Sequence, residues 1–164
     1  MWYTKTIIDE EYEKLKELIL KIHKEKPDHN ILILARTNYM IEKCFEDPEL
    51  KDEIDTKISY VGYKDIDIDG MTIHKSKGLT SDEVIVIGLN EHFPIDYYGE
   101  FWLNELFKYK NHPENLAFAE ERRIFYVALT RTKNCVYLLT NKNPEHRSRF
   151  LAELYKIMKE ETLS

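Results

Sequence analysis

Ile31-Leu32-Ile33-Leu34-Ala35 is a run of five apolar residues that ends at Arg36-Thr37-Asn38, and Val84-Ile85-Val86-Ile87-Gly88-Leu89 repeats the pattern later in the chain. Runs this short and this continuously apolar fit strands covered on both faces, as in parallel sheets. Residues 135–140 predict another strand, and Ile58-Ser59-Tyr60-Val61-Gly62 a short one. Between the strands the spacing turns helical. Tyr12, Leu15, Leu18, Ile19 and Ile22 recur at three- and four-residue steps, which predicts a helix capped by Asp9 and ended by Pro27. Residues 39–45, 120–131 and 147–159 predict further helices. Residues 66–70 read as alternating and turn-like, 45–56 as an acidic solvated connection, and 90–119 as an aromatic stretch with a helix around 101–109. Strands alternating with helices give an α/β fold, a mostly parallel sheet flanked by helices. Ligands of such sheets sit beyond the carboxyl ends of the strands, where Arg36, Asn38, His74 and Lys77 are expected.

The length of 164 residues fits one domain with a core of its own. The formal net charge of −6 argues against a protein that coats nucleic acid by bulk electrostatics, so any DNA contact has to be local. The charge is unevenly placed: residues 120–150 hold seven basic against three acidic side chains. Cys44 and Cys135 match no CxxC spacing, the six histidines form no HxxxH or HExxH, and no metal site is expected. No apolar run is long enough for a membrane span and no signal peptide is visible, which together with unpaired thiols implies a cytoplasmic protein. No GxxxxGK[ST] or GxGxxG phosphate loop occurs. Thr6-Ile7-Ile8-Asp9-Glu10 superficially resembles a strand ending in a metal-binding acidic pair, but two isoleucines are too short a strand and Asp9 suits a helix cap better.

Two segments are too specific for generic core. One is Thr72-Ile73-His74-Lys75-Ser76-Lys77-Gly78-Leu79, followed by the apolar strand; the other is Glu120-Glu121-Arg122-Arg123-Ile124-Phe125-Tyr126-Val127-Ala128-Leu129-Thr130-Arg131-Thr132-Lys133. They resemble motifs V (71–89) and VI (119–133) of superfamily 1 helicases of the UvrD/Rep type, and residues 31–38 resemble motif IVa. The compact spacing from motif IVa to motif V looks closest to the helicase IV branch. The resemblance implies a RecA-like fold over residues 1–164, the C-terminal (2A) domain of an ATP-dependent DNA helicase that translocates on single-stranded DNA and unwinds duplex. The phosphate loop of that family belongs to the N-terminal RecA-like domain, which would be the partner of this one and would hold most of the ATP and Mg²⁺. The chain alone is then expected to be inactive as an ATPase. A non-catalytic interaction module on the same fold, or the motor part of a helicase-nuclease, are the competing readings.

The resemblance also implies residue roles. Arg131 would be the arginine finger at the γ-phosphate, a role that suits a planar, permanently charged fork. Lys77, Gly78, Thr80 and Arg123 would lie on the nucleotide side, with Thr80 replacing an acidic ribose-binding residue of many family members. Gly78 would permit a close backbone approach or a positive φ. Arg36, Asn38, Thr72, His74 and Lys75 would contact DNA, although Asn38 also suits turn capping. Glu120 and Glu121 lie at helical pairing distance from later positions, leaving one of Arg122 and Arg123 to support the cleft and the other to face solvent. Tyr126 is expected to be a packed aromatic with its hydroxyl satisfied.

Overall fold

The computed structural model describes residues 3–45, 66–90, 93 and 116–162. The expected strand at 58–62, the acidic connection and the helix near 101–109 lie outside them. The element order is α1 (Tyr3–Glu25), β1 (Ile31–Ala35), α2 (Asn38–Phe45), β2 (Ile68–Thr72), β3 (Ser81–Val86), α3 (Leu116–Leu129), β4 (Thr132–Leu138), a 3-10 turn (Pro144–His146) and α4 (Arg149–Thr162). The four strands form one sheet in the order β2-β1-β3-β4, every pair parallel, as expected of an α/β RecA-like fold.

Burial follows from the two-residue period of a strand. Ile31, Ile33 and Ala35 of β1 join Ile85, Ile87 and Ile68 under α1 and α2, packed by Leu15, Ile19, Ile22 and Ile41. Leu32 and Leu34 point the other way, with Val84 and Val86, into a layer closed by Ile124, Phe125 and Ala128 of α3 and by Phe150 and Leu151 of α4. Phe93 is fixed there by its ring contacts, 6.0 Å edge-on to Phe125 and 5.6 Å edge-on to Phe150. A fully apolar β1 is therefore a strand with helices on both faces.

Several boundaries depart from the sequence reading. Helix α1 begins at Tyr3, so Asp9 lies inside it rather than at its cap, and 6–10 is helix, not strand. No Gly or Pro interrupts 3–25, and Ile8 extends the same apolar stripe by four residues, so continuous amphipathic spacing overrides a local cap signal. Residues 66–70 are not a turn but lead into β2, whose Gly70 pairs with Ile33 because β1 offers an unfilled edge. Strand β3 starts at Ser81 and ends at Val86, earlier than its apolar run suggests, because hydrogen bonding to Arg131 and Asn30 recruits polar residues into the ladder. Strand β4 likewise begins at Thr132 instead of Cys135, and α3 ends at Leu129 instead of Arg131. The predicted α2 starts one residue earlier and ends where expected, and α4 starts two and ends three residues later.

The link from β2 to β3 positions the site. Strand β2 pairs with one edge of β1 and β3 with the other, so residues 73–80 must pass over β1 from its carboxyl end to the amino end of β3. Eight residues reach at most roughly 26–29 Å, and a five-residue strand rises about 17 Å. A helix does not fit in that length. A short strap forms instead: Ser76 donates its backbone N–H to the carbonyls of Thr72 and Ile73, its hydroxyl donates to Ile73, and Leu79 donates back to Ser76. Ile73 is buried in the α3 layer, and Ser76 is buried as well. Gly78 turns the strap with φ +85, in open space.

Candidate functional site

At the carboxyl end of the sheet, Arg36 leaves β1 and meets Glu121 of α3. Its Nε donates to Glu121 Oε2 at 2.9 Å and Oε1 at 3.1 Å, and its Nη2 donates to Oε1 at 2.6 Å. The carboxylate thus grips the side edge of the guanidinium. Both groups are withdrawn from water, with side-chain exposures of 13% and 3%. The Nη1 corner lies 3.5 Å from His74 Nδ1. His74 and Lys75 are exposed on the first turn of the strap. Thr72 is buried, its hydroxyl accepting from Lys75 N–H at 3.4 Å, so it shapes that turn from beneath. Asn38 is exposed as the first residue of α2, and the capping role falls to Thr37, whose hydroxyl accepts from Met40 N–H at 3.4 Å.

Arg131 sits at the other end of the sheet. It follows the last turn of α3 and precedes β4, and its carbonyl accepts from Ser81 N–H at 2.9 Å. Its guanidinium donates to three neutral oxygens: Val127 carbonyl at 3.1 Å, Leu79 carbonyl at 3.3 Å and Thr130 hydroxyl at 3.2 Å. A cation over the last carbonyls of a helix is favoured by their partial negative charge. Leu79, Gly78, Lys77 and Thr80 are all exposed in the strap beside it. Lys77 lies exposed part-way along the strap, two residues after Lys75 and two before Leu79. Of the ten expected residues, Arg36, Asn38, Thr72, His74 and Lys75 lie at one end, Thr80 and Arg131 at the other, and Lys77 and Gly78 on the strap between them. Arg123 stands apart on the exposed face of α3, 3.2 Å from Glu120.

Some neighbours behave differently from the sequence reading. Glu121 does not pair within its helix but across the domain with Arg36. Its signal was present: Glu121, Ile124, Phe125 and Ala128 fall on one stripe at helical steps, and all are buried. Arg122 pairs with Glu153 of α4 and lies over the Phe150 ring, 5.5 Å from its centroid, while Arg123 faces solvent. Tyr126 is not packed; it is 67% exposed, because it lies on the face of α3 opposite that stripe. The basic surplus of 120–150 is partly countered by two acids outside the segment, since Lys133 pairs with Asp82, and Arg149 as well as Arg122 with Glu153.

The amino end also holds a buried carboxylate. Glu83 is fully buried, with Oε1 accepting from Lys26 Nζ at 2.7 Å and lying 2.8 Å from His29 Nδ1. Burial alone would push this carboxyl up; the bonds from Lys26 and His29, with the Lys26 charge, outweigh it and hold the group below its usual range. On α1, Glu11 is the reverse case: burial pushes it up, against a backbone N–H bond from Gly88 at 2.6 Å.

Residues 41–143 match the family described as UvrD-like helicase C-terminal domain. DNA helicase IV of Escherichia coli is 36% identical over 144 residues, which cover 85% of this chain and 19% of that protein. ATP-dependent DNA helicase PcrA of Bacillus subtilis is 35% identical over 114 residues, 63% of this chain and 13% of its own. RecBCD enzyme subunit RecB of Borreliella burgdorferi is 27% identical over 160 residues, 89% of this chain and 13% of its own. The chain thus spans a fifth or less of the length of these relatives.

Proposed function

Because the chain belongs to the UvrD-like helicase C-terminal domain family, we propose that residues 1–164 act as the C-terminal RecA-like (2A) domain of an ATP-dependent DNA helicase, gripping single-stranded DNA at one end of the sheet and nucleotide at the other. The observation that carries this reading is the strap 73–80. It begins beside Arg36 and His74 and ends under the guanidinium of Arg131, so one short segment touches both clusters.

In this reading Arg36, Asn38, His74 and Lys75 bind the phosphates and bases of the strand, with Thr72 holding their turn. Contacts of this kind carry little sequence preference. Lys77, Gly78 and Thr80 line the nucleotide side, whereas Arg123, paired with Glu120 on the exposed face of α3, stands apart from it. Arg131 rests on neutral oxygens, and a phosphate oxyanion outcompetes these because charge-assisted hydrogen bonds are roughly twice as strong. Arg131 can therefore leave Leu79 for a γ-phosphate presented by a partner domain, where it neutralises charge that develops during phosphoryl transfer. Its departure frees the end of the strap, whose other end lies among the DNA contacts. In this reading Mg²⁺ is held by the N-terminal domain, which carries the phosphate loop of the family.

Two measurements test the reading. The chain alone should bind oligo-dT and not hydrolyse ATP; turnover by the chain that Arg131→Ala abolishes would overturn the division of labour. Joined to the N-terminal domain of a related helicase, it should give a DNA-stimulated ATPase that Arg131→Ala removes. An interaction module predicts the same rate with and without Arg131.

A further inference from the structure

We propose that Glu121 is a positioning residue: its buried carboxylate fixes the plane of the Arg36 guanidinium at the DNA-facing end of β1 and ties that end to α3, the helix that runs on to Arg131. This rests on the reading of Arg36 as a DNA contact.

The geometry supports more than a stabilising pair. Glu121 is 2% exposed and reaches Arg36 through three N–H···O contacts of 2.6–3.1 Å, all on the side edge of the fork. Such an edge-on grip removes rotation about the last side-chain bonds, which a single contact would leave. Apolar residues of similar volume generally stabilise a fold as well as a buried ion pair does, or better. What the pair adds is direction. The corner left outside the grip, Nη1, points to His74 at 3.5 Å, the exposed residue that opens the strap. Glu121, Arg36 and His74 therefore form a chain of contacts from the helix to the strap surface, while the same helix ends about 12 Å further on, eight residues at 1.5 Å each, two residues before Arg131. Glu121 also cancels the charge of Arg36, so whatever Arg36 gives to DNA is oriented hydrogen bonding more than bulk attraction.

The test is the affinity of the chain for fluorescein-labelled oligo-dT, measured by anisotropy across a salt series, with thermal melting of each variant alongside. The paired replacement Arg36→Met with Glu121→Leu removes both charges together and keeps the site apolar and filled. It should lower affinity by about tenfold, as loss of a charge-assisted bond does, with little change in the salt slope, because the two charges it removes already cancel. If affinity does not change, Arg36 does not touch DNA and both readings fall. Given that loss, Glu121→Gln should reproduce it although Arg36 remains, because the amide cannot receive the side edge twice. A Glu121→Gln variant that binds as well as the parent, or more tightly because Arg36 is no longer neutralised, would overturn the positioning role alone. Should Glu121→Gln melt below the assay temperature, Arg36→Lys decides: the lysine keeps the charge and the pairing with Glu121 but has no fork to orient. Affinity like that of the paired replacement supports positioning, and affinity like the parent's overturns it.

Discussion

The two ends of the sheet hold their arginines in opposite ways. Arg36 is clamped by a buried carboxylate, whereas Arg131 rests on two carbonyls and a hydroxyl. A carboxylate partner is hard to exchange for a passing ligand. Neutral partners are easy to exchange. The carboxyl end is thus built to present a fixed shape, the amino end to release a side chain when a stronger anion arrives, and the strap 73–80 joins the two.

The largest effect expected from this contrast concerns Arg131. Arg131→Ala in the joined two-domain protein should lower ATP turnover by roughly 10³-fold or more, the range of an arginine finger, while urea unfolding of the chain changes by about 1 kcal/mol or less, since only neutral, half-exposed bonds are lost. A turnover loss matched by an equal loss of stability would mean that Arg131 only braces the fold. Arg36 should behave inversely. Arg36→Ala leaves Glu121 buried without its cation, which costs roughly 3–5 kcal/mol, whereas the paired Arg36→Met with Glu121→Leu should recover most of it. Urea midpoints of the single and paired variants measure the difference, and equal midpoints would show that the clamp is not what holds this end.

Much of this was legible in the residues, and for definable reasons. The continuous apolar runs 31–35 and 84–87 require cover on both faces, so a parallel sheet between helices followed from them directly. Motif spacing placed Arg131 at the end of a helix, which stops two residues earlier, and Gly78 in a turn, where its φ is +85. What stayed hidden depends on partners distant in sequence. The start of β3 at Ser81 is set by Arg131 and Asn30, and the fate of Glu121 by Arg36, 85 residues away. Local charge spacing suggested a pairing within the helix; burial of the stripe decided against it. The path of the strap across β1, from His74 beside Arg36 to Leu79 beside Arg131, is revealed only by the sheet order.

The strap itself carries the next largest effect. Gly78→Ala meets nothing within 4 Å, so it costs only the left-handed backbone conformation, about 1–2 kcal/mol. Because that strain falls between the two clusters, it should lower stability slightly yet weaken the dependence of ATPase on DNA in the joined protein. Gly88 provides the control. Its φ is +73, but an added Cβ would meet Met40 Sδ at 2.5 Å, so Gly88→Ala should destabilise more and leave DNA stimulation of the surviving fold unchanged. If both variants uncouple the activity equally, the strap has no special role in linking the ends.

The amino end is not without a buried carboxylate, and pH separates it from the arginine beside it. Glu83 holds Lys26 and His29 rather than an arginine, and its carboxyl lies below the usual range in the folded chain. A depressed carboxyl contributes stability that is fully present above its unfolded value, near 4.3, and is lost as pH falls through the lower folded value. One proton allows a slope of at most about 1.4 kcal/mol per pH unit, confined to that acid window, so this is the smallest effect. Urea midpoints of the parent and Glu83→Gln, taken from pH 6 down to pH 3, should converge as the parent protonates. Arg131 donates only to neutral oxygens, so Arg131→Ala should shift the midpoint by the same amount at every pH in that series. Convergence for Arg131→Ala, or a constant gap for Glu83→Gln, would mean that the amino end is organised by one charged network and that its arginine is not held independently of it.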